Sequence, residues 1–168
     1  PYGVLAVTID VTARRQSEVA LLKASESMRL AIEGAGMATW ELDLETMEGP
    51  WSPNRFDILG YPRSTNGRGH FSEWLSLVHP GDMERARSAA ELCFADGTPF
   101  DIEYRILRAD TGEERWLRSN GGIIADADGK DRRFVGISFD ITERKQSEVR
   151  QQSLIDELNH RVKNTLAI

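Results

Sequence analysis

The sequence predicts an α+β chain in which two strands, several short helices and three long antiparallel strands stand between two long polar helices. Three observations lead there. Apolar residues at alternating spacings of three and four mark residues 13–35 and recur in the last stretch of the chain. Residues 100–141 alternate apolar and polar side chains between turn-forming Thr111-Gly112 and Asp128-Gly129 pairs. The segment Val7-Thr-Ile-Asp10-Val-Thr12-Ala-Arg-Arg-Gln16-Ser-Glu-Val19 returns as Ile137-Ser-Phe-Asp140-Ile-Thr142-Glu-Arg-Lys-Gln146-Ser-Glu-Val149, an offset of 130 residues from Asp10 to Asp140.

Each copy reads as a strand entering an Asp-x-Thr step and then a polar helix, the Asp or Thr accepting amide hydrogens left free at the helix start. Residues 1–12 are therefore expected to be the terminal strand of a preceding module. Residues 13–35 form a linker helix, residues 36–142 a complete module, and residues 143–168 an output helix. In the linker helix Leu21, Ala24, Met28, Ala31 and Ala35 share a seam, and Gly34-Ala-Gly36 ends it. Strands follow at about residues 38–44 and 48–52, with short helices near 53–59 and 72–78. Gly, Ser and Asn residues mark residues 62–69 as loop. His79-Pro80-Gly81-Asp82 introduces a helix to about Ala95. The last three strands are read at residues 100–106, 115–125 and 133–141, with Val135, Ile137 and Phe139 on one side.

Twenty-one basic against 27 acidic side chains leave a net charge of −6, which disfavours nucleic acid as a partner, because phosphate binding needs concentrated positive charge. One cysteine, Cys93, excludes an internal disulfide and fits a reducing compartment, so the expected location is cytoplasmic. No apolar run approaches the ~18 residues that read as a membrane span. Asp126, Asp128 and Asp131 lack the glycine and terminal glutamate of a calcium loop, and three scattered histidines offer no zinc spacing, so no metal site is expected.

Gly36-Met-Ala-Thr-Trp40-Glu-Leu-Asp-Leu44, Leu59-Gly-Tyr-Pro62, Val78-His-Pro-Gly-Asp82, Glu103-Tyr-Arg-Ile106, Arg115-Trp-Leu117 and Phe139-Asp-Ile-Thr142 together resemble the PAS sensor domains of bacterial signalling proteins. The likeness covers about residues 26–148. It implies a five-stranded antiparallel sheet with short helices on one face, coiled-coil helices on both flanks, pairing through those helices, and an unidentified small-molecule ligand in a cavity. Trp40, Trp51, Phe56, Trp74, Phe94 and Tyr104 are the candidate cavity residues, although aromatics at such positions more often fill the core. Asp140 and Thr142 are the candidate signal-transfer residues. Light-sensing relatives carry an Asn-Cys-Arg-Phe-Leu-Gln motif absent here, and haem-binding ones a histidine in the helix before the third strand, so neither a flavin-cysteinyl adduct nor haem is expected. His79 and His70 read as turn and loop residues.

In the output helix Ile155, Leu158, Val162 and Leu166 form a narrow stripe at about 100° per residue. His160 points roughly opposite, with Asp156 and Asn164 one turn away on either side. An exposed helix histidine alone is usually a solvated side chain. Glu157-Leu-Asn-His160-Arg-Val-Lys-Asn164-Thr-Leu-Ala167, however, closely resembles the phosphoacceptor box of HWE-type sensor histidine kinases. That resemblance implies that His160 takes a phosphoryl group from ATP and passes it to an aspartate of a response regulator. Neutral imidazole is a competent nucleophile near neutral pH. Asp156 or Glu157 can orient the ring or take its proton, and Arg161 and Lys163 can attract phosphate oxygens. These charges equally suit the wet side of a dimerising helix. ATP is expected to bind in a kinase domain of the parent protein, and the 168 residues are expected to be inactive alone. The competing reading is a non-catalytic PAS ligand-binding or dimerisation module whose terminal helix is a connector.

Overall fold

Buried positions that alternate along the strands set the central sheet, and the computed structural model describes it within residues 12–126, 128, 129 and 132–166. The chain divides into two units, residues 1–35 and 36–168. In the first, helix α1 (Thr12–Gly34) carries Leu21, Leu22 and Met28 exposed to solvent. The strand expected at residues 1–12 lies outside the described residues, save Thr12, which opens α1.

The second unit runs β1 (Ala38–Asp43), β2 (Glu48–Pro50), α2 (Pro53–Leu59), β3 (Arg68–His70), α3 (Phe71–Leu77), α4 (Met83–Asp96), β4 (Phe100–Leu107), β5 (Glu114–Ala125), β6 (Arg132–Asp140) and α5 (Thr142–Leu166). The four long strands form one antiparallel sheet in the order β1-β6-β5-β4. The five expected strands are present, but the fifth enters this sheet only through a bridge between Trp40 and Trp51. β2 instead pairs with β3, a strand that overlaps the end of the segment expected to be loop. Gly69 is what permits it, since a side chain there would strike the Trp51 ring.

One sheet face supplies Trp40, Leu42, Phe100, Tyr104, Ile106, Leu117 and Phe134 to the core. Helices α2 to α4 cover that face with Phe56, Leu59, Trp74, Leu77, Ala86, Ala90 and Cys93. Val135, Ile137 and Phe139 do share a side, as read, and it is the face turned away from these helices. Two arginines tie loop to sheet. Arg108 Nη1 donates to the Asp57 and Ile58 carbonyls at the end of α2, and Arg105 donates from its backbone N–H and Nε to Asp82 Oδ2, each at 2.9 Å. These bonds hold Asp82 down to about 2, chiefly through the Arg105 side chain. His79 closes the turn ahead of α4, its Nδ1 accepting the Gly81 N–H at 3.1 Å, while His70 caps α3 in a reciprocal pair with Glu73.

Candidate functional site

Small polar residues on the buried register of β5 and β6 open the middle of the core. Ser119 and Ser138 occupy positions where the alternation calls for apolar side chains, and they face one another across the strand pair. Gly136 and Gly121 let the Trp40 indole approach the sheet backbone closely; a Cβ at Gly121 would stand 2.6 Å from the ring. The indole N–H then reaches Ser138 Oγ at 2.9 Å.

From this point a buried hydrogen-bond chain crosses the core. Arg55 Nη1 donates to Ser138 Oγ at 2.7 Å, Ser138 and Ser119 hydroxyls meet at 2.7 Å, Ser119 and Tyr104 hydroxyls at 3.0 Å, and Trp74 Nε1 donates to Tyr104 OH at 2.9 Å. Arg55 is only 4% exposed. Its guanidinium lies over Trp40 and Trp51, 5.8 and 5.5 Å from their ring centroids, and its Nε finds no acceptor. Burial pushes its pKa down, with Tyr104 partly opposing.

The cavity beside this chain is lined by Trp40, Trp51, Trp74 and Tyr104 of the expected set. Arg55, Ser119, Glu41, Leu42, Phe71, Phe100 and Phe134 complete it. Phe56 and Phe94 do not line it. Phe56 backs Trp51 at 5.3 Å, and Phe94 packs on Phe71 and Phe134, because the helices bearing them place both rings one layer behind the wall. The free volume is about 30 Å³, room for one or two waters or a ligand of a few atoms.

Arg55 escaped the sequence reading because Pro53-Asn-Arg-Phe-Asp reads as a short charged helix with its arginine outside. The available signal was the parity of the strands, which puts Ser119 in line with Leu117, and Ser138 in line with Phe134.

A second cluster anchors the output helix. Thr142 Oγ1 accepts the Trp116 backbone N–H at 2.9 Å, and the Thr142 N–H donates to Asp140 Oδ1 at 2.9 Å. Asp140 Oδ2 pairs with Arg115 at 3.2 Å, and the Ile141 N–H donates to the Trp116 carbonyl at 2.8 Å. Lys145 and Arg144 both reach Glu103 on β4 at 2.6 Å, and Lys145 lies 5.1 Å from the centroid of Trp116. Lys145 is the leading cause of the lowered Glu103 pKa. Trp116 is thus a sheet-surface contact, held between Lys145 and Arg105.

Beyond this joint α5 is exposed. His160, Asp156 and Glu157 all lie on solvent-facing positions of the helix. Gln152 donates to Asp156 at 3.0 Å, and Arg161 pairs with Glu157. The Asn164 side chain falls outside the described residues. Ile155, Leu158 and Val162 are 44%, 63% and 56% exposed, an apolar stripe with the protein's own core nowhere beneath it. Among the described residues no cluster of metal-ligating side chains occurs, and no helix is long and apolar enough to cross a membrane.

A known family matches this architecture: the PAS fold model covers residues 50–138. The sensor protein FixL of Bradyrhizobium diazoefficiens is 35% identical over 123 residues, 73% of this chain and 24% of FixL. A blue-light-activated histidine kinase of Brucella anthropi is 27% identical over 146 residues, 87% of this chain and 28% of that protein. The chain therefore spans less than a third of these curated relatives. A sensory box histidine kinase/response regulator structure from Burkholderia thailandensis superimposes with a TM-score of 0.65 at 27% identity, over 79% of this chain and 98% of that one. With its sheet order, its helices on one face and more than half its length within the family model, the chain belongs to the PAS-fold family and is related to sensor histidine kinases.

Proposed function

We propose that this chain is the sensory module and the beginning of the transmitter of a bacterial two-component sensor histidine kinase, with His160 as phosphoacceptor. The observation that carries the reading is the path of α5: one continuous helix that is bonded to the sheet at Thr142 and presents His160 to solvent about 27 Å further on. An imidazole in that position is open to a kinase domain and to a receiver aspartate, which a buried ring is not. Asp140 and Thr142 are the mechanical joint, Asp156, Glu157 and Asn164 the groups that support the imidazole, and a second copy of the chain the occupant of the Ile155, Leu158 and Val162 stripe. ATP binds in the parent's kinase domain, and the phosphoryl group passes to a response regulator. The protein works in the cytoplasm.

In the intact parent kinase, [γ-32P]ATP labels the protein with an acid-labile, base-stable phosphate, and His160→Ala abolishes the label. Equal labelling of the variant removes His160 from this role. The rival, a PAS module without transfer chemistry, draws on the 25% identity over 146 residues to a probable diguanylate cyclase, DgcE of Escherichia coli, and predicts that His160→Ala changes nothing.

A further inference from the structure

Hydrogen-bond accounting across the core leaves donors without acceptors. Five bonds join the Ser138, Ser119 and Tyr104 hydroxyls, the Trp40 and Trp74 indoles and the Arg55 guanidinium. The two indoles and the arginine only donate. Ser138 accepts from Trp40 and from Arg55, so both its lone pairs are occupied and its own proton must go to Ser119. Between Ser119 and Tyr104 one further proton is used, whichever hydroxyl gives it. One hydroxyl proton therefore remains, on Ser119 or on Tyr104, and both residues line the cavity. Arg55 Nε–H is a second donor left over. The guanidinium also brings a full charge, with no carboxylate paired to it among the described residues, and two indole faces compensate only part of that charge. Glu41, the acidic residue at the wall, is engaged by Arg133 at 2.8 Å.

We propose that the cavity is a receptor site for a small aliphatic monocarboxylate, its two oxygens taking the Arg55 guanidinium and the spare hydroxyl proton. The charge count selects the ligand class. One negative charge neutralises one arginine, whereas a phosphate dianion would leave an unpaired buried charge of its own. A planar carboxylate accepts side by side from a guanidinium edge and a hydroxyl. The ligand's hydrocarbon end lies among Trp51, Phe71 and Phe134, and the size of the free space limits it to a few carbons. This deepens the sensor half of the reading above and is tested apart from the phosphoacceptor, since ligand binding is read on the isolated 168 residues, without ATP or His160.

The chain's four tryptophans supply the readout. Three of them, Trp40, Trp51 and Trp74, line the cavity, while Trp116 lies on the outer side of the sheet against Lys145. In 15N-labelled protein, sodium propionate shifts the first three indole N–H signals saturably, with half-effect below about 10 mM, and leaves Trp116 in place. Propionamide, which has the same shape and no charge, and sodium chloride at equal ionic strength produce less than a tenth of the shift. Arg55→Met removes the propionate response. Absence of a saturable shift, an equal response to propionamide or to chloride, or a response retained by Arg55→Met overturns the proposal. Should Arg55→Met not fold, the propionate and propionamide titrations of the unaltered chain decide it.

Discussion

Asp82 shows how much one side chain settles here. It joins the start of α4 to β4 through Arg105 and to Arg85 through a 3.2 Å contact, and its pKa falls from 3.8 to about 2. A carboxyl depressed on folding stabilises the protein above its unfolded pKa, and the contribution is lost as pH falls through the folded value. The window here runs from about pH 4 down to about 2. Asp82→Asn is expected to cost about 2 kcal/mol at pH 7 and almost nothing near pH 2, measured by urea unfolding at each pH. An equal cost at both would contradict the assignment. His79 was legible because local grammar fixes it, a His-Pro-Gly-Asp turn. Arg55 was not. Trp51 is near it in sequence, but the burial of Arg55 also depends on Trp40 and on Ser138, 83 residues further along, a contact that no local window contains.

Among the elements, α5 carries the most weight in the proposed function. Its first turn is bonded to β4 and β5, whereas Ile155, Leu158 and Val162 project into solvent at spacings of three and four. A lone charge at the middle of such a seam must be desolvated on pairing. Leu158→Lys is expected to weaken self-association of the chain by about 2 kcal/mol or more, roughly 30-fold in dissociation constant, with sedimentation velocity showing a shift to monomer. Unchanged sedimentation would count against the stripe as a pairing surface. Long strands and helices were legible to within one or two residues, because their apolar periods persist over several repeats. β3 escaped because Arg68-Gly-His70 has no apolar alternation; it exists because β2 offers an edge and Gly69 leaves room for Trp51.

At the scale of the whole molecule, the proposed function joins two features: a charged, donor-rich cavity under the sheet, and a histidine on a helix fixed to that sheet. β5 and β6 connect them, since Ser119 lines the cavity and Ser138 accepts from its Arg55, while Trp116 and Asp140 grip the helix start on the same strands. The pairing of β5 with β6, which sets Ser119 against Ser138, was not legible, because it joins residues distant in sequence. In the proposed transmitter, the rotational phase of α5 sets which way His160 faces. Inserting one residue between Gln151 and Gln152 of the parent kinase turns His160 by about 100°, and inserting seven restores the seam. Autophosphorylation of the two variants is the most direct test. The expected result is at least a tenfold loss for the single insertion and near-normal labelling for the seven; equal labelling of both would contradict the proposed role of α5.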